Sequence, residues 1–104
     1  MREARSPASA QLGELIRDLR HKTTMSRRTL AELADMDISH VARLEGGMGN
    51  PTMFALIQLA TVFGVSPAYF VEGLTAADLP DHIRPLTQSD VVRELRRREK
   101  LDSA

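Results

Sequence analysis

The chain has 104 residues, of which 42% are hydrophobic and 27% charged, a composition typical of one small globular domain rather than of a disordered polymer. Its 14 basic and 14 acidic side chains cancel, which argues against a polycationic coat for nucleic acid but leaves room for a small basic face. The chain has no cysteine, which excludes disulfides, thiolate metal sites and a cysteine nucleophile.

Five helices are predicted between Leu12 and Gly73, because apolar residues recur there at helical spacing between capping and breaking residues. In the first, leucine and isoleucine fall at i, i+3, i+4 and i+7. The predicted helices lie at about residues 12–20, 27–34, 38–45, 53–63 and 67–70. No alternating strand pattern is present, so the predicted fold class is all-α.

Outside these helices, residues 1–10 are predicted to be a flexible N-terminal arm and residues 74–104 a turn-rich connector with a C-terminal helix. The arm either reaches DNA through Arg2 and Arg5 or is a disordered tail. Thr87–Asp90 resembles a capping box at the start of the last helix. That helix carries a run of basic residues over 93–100, either a solvated face or a DNA-binding extension.

The second and third predicted helices, Arg27–Ala34 and Ile38–Glu45, are separated by only three residues. A turn of this length between two helices is typical of the helix-turn-helix, whose second helix enters the major groove of DNA. Apolar residues on the facing sides of the two helices would pack them together and leave the outer side of the third helix exposed.

The stretch from about Leu12 to Gly73 resembles the Xre family of helix-turn-helix domains, which have the lambda-repressor-like fold of five helices. The segments that carry the resemblance are LGELIRDLR at 12–20, LAELAD at 30–35, SHVARLEGG at 39–47, NPT at 50–52 and ALIQLATVFGVSPAYF at 55–70. The resemblance implies a DNA-binding transcriptional regulator, with its DNA-binding domain at residues 11–73.

The resemblance also implies which residues touch DNA. Four residues of the third helix fall on its base-reading edge: Ile38, Ser39, His40 and Arg43. Arg43 is the best candidate for a specific contact, because a guanidinium can pair with both O6 and N7 of guanine. The phosphate contacts fall at the start of the second helix and in the loop after the third: Arg27, Asn50 and Thr52.

Two further expectations follow from the resemblance. Arg20 and Glu45 occupy the positions of a structural salt bridge between the first helix and the end of the third, with a DNA role for Arg20 as the alternative. Thr24 and Asp35 stand where the family usually has glycine in a left-handed backbone. Because threonine tolerates that backbone poorly, we expect the connection between the first two helices to differ locally.

Charge and motifs also bear on other classes of function. Residues 11–78 carry six basic and eight acidic side chains, unusual for a DNA binder, so a protein-interaction module of the antitoxin or coactivator kind stays open. The three histidines lie far apart and no nucleophile or phosphate-loop motif is present, so we expect no metal, no cofactor and no enzymatic activity. No apolar run could span a membrane and no signal-peptide core is present, which predicts a cytoplasmic protein.

The expected partners are double-stranded DNA and a second copy of the chain, with a protein partner as a further candidate. Apolar side chains of residues 74–104 have no complete core of their own: Leu79, Ile83, Leu86, Val91, Val92 and Leu95. We expect them to form part of a homodimer interface. The alternative is a monomer in which the last helix packs on its own domain.

Overall fold

Seven helical elements, and no strand among the residues described, make up the computed structural model of the chain, which describes residues 3–83 and 86–103. They are α1 (Pro7–Lys22), α2 (Arg27–Leu33), α3 (Ile38–Glu45), α4 (Met53–Phe63), a first 3₁₀ helix (Pro67–Phe70), a second 3₁₀ helix (Ala76–Asp78) and α5 (Gln88–Asp102). The predicted all-α class is confirmed. The fifth helix of the domain is a single 3₁₀ turn.

The N-terminal segment is more ordered than its sequence suggests, because α1 begins at Pro7. Ser6 caps it by accepting a hydrogen bond from the Ser9 amide at 3.0 Å, and the proline occupies the first turn. Residues 7–10, assigned above to the flexible arm, are therefore helical. The Arg5 amide donates to the Gly47 carbonyl at 2.8 Å, which ties the arm to the loop after α3. Arg2 lies outside the described residues.

The buried core is made by α1–α4 together with the first 3₁₀ helix. Its largest fully buried side chains are Ile16, Leu30, Val41, Leu44, Leu59 and Phe70. Among the described residues, every buried one lies between Ser6 and Phe70, so the core closes without the C-terminal segment. No helix in the described part of the chain is long and apolar enough to cross a membrane.

α1 and α3 approach each other most closely at Gly13. A Cβ atom added there would lie 2.6 Å from the carbonyl oxygens of both Leu44 and Glu45, far inside van der Waals contact. Only glycine allows this approach. The contact sets the position of the end of α3, where the candidate salt-bridge residue Glu45 lies.

The two positions where the family usually has glycine are both left-handed here. Thr24 has a φ of 55° and Asp35 a φ of 53°. The expected local difference in the connection between α1 and α2 is therefore wrong. Hydrogen bonds on either side impose the conformation on Thr24, because its amide donates to the His21 carbonyl at 3.1 Å and the Met25 amide to the Arg20 carbonyl at 3.0 Å.

The C-terminal helix α5 starts at the predicted capping box. The Asp90 amide donates to the Thr87 hydroxyl, and the Thr87 amide donates to the Asp90 carboxylate, each at 3.1 Å. No residue of α5 is buried, and the Leu95 side chain is 61% exposed. The alternative of a last helix packed into its own domain is therefore not seen.

Candidate nucleic-acid interface

The α2–turn–α3 unit is closed by short-range packing and hydrogen bonds. The Met36 amide donates to the Ala31 carbonyl at 2.9 Å, and the left-handed Asp35 reverses the chain between the helices. Leu30 on α2 and Val41 on α3 are fully buried. Asp37 occupies the N-cap position of α3, but its side chain makes no capping hydrogen bond.

Three of the four predicted base-reading residues lie on the exposed side of α3. Ile38 is 44% exposed, and Ser39 and Arg43 are exposed as well. Arg43 has no acidic side chain within ion-pair distance in the described part of the chain, so its guanidinium is free for an external partner. His40 differs from these three, because it is half-buried and lines a shallow hollow beside Glu32.

The three predicted phosphate-contacting residues lie at the start of α2 and in the segment that joins α3 to α4. Arg27 begins α2 and is about half exposed, but its Nε donates to Glu45 Oε1 at 3.3 Å. Asn50 is exposed in the loop after α3. Thr52 caps α4, and its hydroxyl oxygen accepts a hydrogen bond from the Ala55 amide at 3.1 Å while keeping its own proton to donate.

Glu45 lies at the centre of an arginine cluster consisting of Arg17, Arg20 and Arg27. The Glu45 side chain is fully buried. Arg20 binds it in bidentate fashion, with Nε donating to Oε2 at 2.7 Å and Nη2 donating to Oε1 at 3.0 Å. Arg20 also donates to the Met25 carbonyl at 2.9 Å, which fastens the connection between α1 and α2. The structure thus brings together the two residues assigned to the structural salt bridge.

Sequence reasoning missed the other members of this cluster. Arg17 Nη2 donates to the Glu45 carbonyl at 2.8 Å, and its Nε lies 3.8 Å from Glu45 Oε1. The only sequence signal for Arg17 is its place one turn before Arg20 on α1. The link from Arg27 to Glu45 has no such signal, because it depends on how α2 packs beside the end of α3.

The cluster also determines the charge of its members. Burial raises the pKa of the Glu45 carboxyl, but hydrogen bonds from Arg20 and Arg27 and their positive charges outweigh it, so the pKa lies below its ordinary value. The hydrogen bond to Glu45 in turn raises the pKa of Arg20. Three guanidinium groups around one carboxylate leave net positive charge at the start of α2, where a phosphate would be attracted.

Comparison with known proteins identifies the unit. The family described as a helix-turn-helix domain matches residues 11–69, more than half of the chain. The chain belongs to the helix-turn-helix domain family. The matched part of this helix-turn-helix domain contains α2, α3 and α4 whole and leaves α5 outside.

Solved structures of other proteins show the same fold. The restriction-modification controller protein C.AhdI from Aeromonas hydrophila is 31% identical with a TM-score of 0.58, over 60% of this chain and 94% of that one. The N-terminal DNA binding domain of SinR from Bacillus subtilis is 25% identical with a TM-score of 0.58, over 61% of this chain and 93% of that one.

A third structure, C.Esp1396I bound to a 19 base pair DNA duplex, is 22% identical with a TM-score of 0.56 over 62% of this chain and 87% of that one, and is similar in fold. No curated protein matches the chain significantly. Together these likenesses confirm the resemblance of this helix-turn-helix domain to the Xre family and its lambda-repressor-like fold.

Proposed function

We propose that the chain is a sequence-specific transcriptional regulator that binds double-stranded DNA by inserting α3 into the major groove. The observation that carries this proposal is the exposed edge of α3, where Ile38, Ser39 and Arg43 face outward. The opposite side of the helix is held rigidly by the buried Val41 and Leu44. Two of the similar structures are described as DNA-binding or DNA-bound, which supports the same conclusion.

Each residue of the interface has a role that its chemistry allows. Arg43 pairs in bidentate fashion with guanine, Ile38 packs against a thymine methyl group, and Ser39 reaches a base or a phosphate. The half-buried His40 contacts the edge of the groove. The phosphate contacts come from Arg27, whose side chain is about half exposed although its Nε donates to Glu45, together with Asn50 and Thr52.

The deciding experiment is selection of bound sequences from random duplex DNA with the purified full chain. An enriched motif at moderate salt is expected. Arg43→Ala should cost about 1–3 kcal/mol in binding and relax the preference at one base pair. The matched control is Arg43→Lys, which keeps the charge but loses the two-pronged geometry, and so should relax the same base pair while leaving the salt dependence unchanged.

A selection that returns no enriched motif rejects the proposal that the chain is a sequence-specific regulator. An Arg43→Ala variant that loses affinity equally for all sequences would instead move Arg43 from base reading to phosphate contact.

The proposal includes a homodimer that acts in the cytoplasm. One helix of eight residues reads only a few base pairs, so two copies with half-sites about 34–36 Å apart would supply the missing contacts. Exposed apolar residues after Gly73 are available to join the copies: Leu79, Ile83, Leu86, Val92 and Leu95. Their exposure supports the two-fold arrangement, because apolar side chains favour burial against a partner.

A second candidate function is a protein-interaction module on the same fold. It is favoured by the surroundings of α3, where Glu32, Asp35 and Asp37 line the hollow beside His40 and Leu33 is 61% exposed. Acidic groups repel phosphate and apolar ones suit a protein partner. The selection experiment separates the two functions, because a module of this kind enriches no DNA motif.

A further inference from the structure

The C-terminal helix carries a row of cations on one side. Arg93, Arg96, Arg97 and Lys100 recur at i, i+3, i+4 and i+7, and we call them the α5 basic stripe. All four are exposed, and they line one shallow groove along the helix. Val91 and Leu95 lie on the opposite side of α5, whereas Val92 lines the same groove as the stripe. A second copy of the chain can therefore cover Val91 and Leu95 without covering the stripe.

Two of the four acidic residues of α5, Asp90 and Glu94, form ion pairs with its arginines, and both lie on one flank of the stripe. Glu94 accepts hydrogen bonds from Arg97 at 2.7 and 3.0 Å and from Arg98 at 2.9 Å, and these bonds lower the pKa of Glu94 to about 2. Asp90 makes only a long contact with Arg93, at 3.5 Å.

The remaining cations of the stripe are Arg96 and Lys100. Neither has an acidic side chain within ion-pair distance among residues 3–83 and 86–103. The stripe therefore keeps two cations without an ion-pair partner, on a helix whose five basic and four acidic side chains leave a net charge of +1.

The helix-turn-helix domain carries no net positive charge, although its arginine cluster keeps a local excess. Residues 11–78 carry six basic side chains, and three of them, Arg17, Arg20 and Arg27, surround Glu45. Lys22, Arg28 and Arg43 are the other three. Because affinity for DNA depends strongly on the number of phosphates neutralised, a domain with this inventory holds a duplex weakly by itself.

We infer that the α5 basic stripe binds the phosphate backbone of the duplex beside the bases that α3 reads, an inference that rests on the proposed function. The stripe is about 10 Å long at 1.5 Å per residue, which equals the rise of roughly three base pairs along the duplex axis. The nine residues between Asp78 and Gln88 can span up to roughly 30 Å, which sets the reach of α5 from the end of the domain. A polyanion is the occupant that complements this charge.

The test is the salt dependence of binding by the full chain on a duplex that carries its selected motif. Log affinity falls as log salt rises. Replacing Arg93, Arg96 and Lys100 together by glutamine should make this negative slope less steep by about 2.7. Between 50 and 200 mM salt, wild type should then lose roughly 40-fold more affinity than the triple variant. The preferred sequence should not change, because backbone contacts carry no base information.

A matched pair of single variants sharpens the result. Arg96→Gln should make the slope less steep by about 0.9, whereas Arg98→Gln should leave it unchanged, since Arg98 lies outside the stripe and is paired with Glu94. Both positions are exposed, so circular dichroism and sedimentation should match wild type. The single variants keep the test valid if the triple variant loses helix.

Three outcomes overturn the inference. The first is a triple variant with the affinity and slope of wild type, as expected if the stripe serves an acidic protein surface instead. The second is a loss of affinity with an unchanged slope, which would make the effect indirect. The third is that the wild-type protein binds no duplex at all. This outcome rejects the proposed function as well, whereas the first two reject only the role of the stripe.

Discussion

At the residue scale, Glu45 couples the stability of the fold to the surface that we propose faces DNA. Its buried carboxylate holds Arg20 at 2.7 Å and Arg27 at 3.3 Å, so one group fastens the interior and orients a candidate phosphate contact. A buried ion pair adds little to stability compared with an apolar pair, but removing one partner strands the other charge. Changes at Glu45 should therefore affect folding first and DNA recognition second.

The first prediction concerns Glu45 and pH. Glu45→Ala should lower the free energy of unfolding by about 3–5 kcal/mol at pH 7, because Arg20 is left buried without its partner. Since the pKa of Glu45 is lowered in the fold, its stabilisation is complete above the unfolded value of about 4.3 and is lost as the pH falls through the folded value. Urea unfolding should show that the difference in the free energy of unfolding between variant and wild type is smaller at pH 3 than at pH 7.

The control for this prediction is Glu14→Ala, which removes an exposed carboxylate from α1 and should leave stability nearly unchanged at both pH values. A gap of constant size across the pH range would contradict the ion-pair explanation, because it would arise from lost packing rather than from charge.

The second prediction concerns the left-handed Thr24. Thr24→Gly should raise the free energy of unfolding by about 1 kcal/mol, because a side chain branched at Cβ is strained at a φ of 55° and glycine is not. The matched control is Thr23→Gly. Thr23 has a φ of −91° and its hydroxyl donates to the Leu19 carbonyl at 2.8 Å, so this change should destabilise the protein. Equal effects of the two changes would refute the argument from backbone conformation.

At the scale of the elements, the close crossing of α1 and α3 determines where α3 lies. Gly13 lets the two backbones meet, and Arg17 and Arg20, one and two turns further along α1, then reach Glu45 at the end of α3. The same side of α1 therefore provides both the contact and the ion pair. The α2–turn–α3 unit depends on a third helix for its orientation.

The third prediction follows from this crossing. Gly13→Ala should destabilise the protein by about 1–3 kcal/mol, although alanine is the better helix former, because the new methyl group would lie 2.6 Å from two carbonyl oxygens. Gly46→Ala is the control, since a Cβ there meets nothing closer than 3.4 Å. Thermal unfolding of both variants measures the difference, and a Gly13→Ala variant as stable as wild type would show that the helices separate without cost.

At the scale of the whole molecule, the chain divides into a domain with a closed core and a C-terminal helix without one. Every buried residue in the described ranges lies before Val71, whereas α5 exposes both an apolar side and the α5 basic stripe. A helix with two unsatisfied surfaces suits an assembly in which one surface meets a second copy and the other meets DNA. Isolated helices of this length are marginal in water, so such contacts would also stabilise α5.

The fourth prediction is a homodimer that needs the C-terminal segment. The full chain should sediment as a dimer, and a chain ending at Gly73 should be a folded monomer, because the core between Leu12 and Phe70 is complete without the segment. A milder variant, Leu95→Asp, should weaken the dimer without affecting the unfolding of the domain, since Leu95 is 61% exposed. A monomeric full chain, or a truncated chain that dimerises equally well, would disprove the arrangement.

Local sequence signals determined the helices of the domain and the helix-turn-helix itself. Caps such as Ser26 and Thr52 and breakers such as Gly64 act on neighbouring residues, so their effects can be predicted without the fold. The same kind of signal at Ser6-Pro7 marks the start of α1, although the polar composition of residues 1–10 suggested an arm. The exposed edge of α3 also followed from helical spacing and the resemblance to the Xre family.

Only the tertiary structure decided what those helices do to one another. Arg17 and Arg27 reach Glu45 through contacts between residues distant along the chain. The left-handed backbone of Thr24 depends on hydrogen bonds that outweigh its local preference. The exposure of both sides of α5 is likewise a property of the whole fold, because the core is already complete at Phe70. Local propensities are worth a few tenths of a kcal/mol per residue, whereas burying a charge or closing a core is worth several, so packing decides wherever the two conflict.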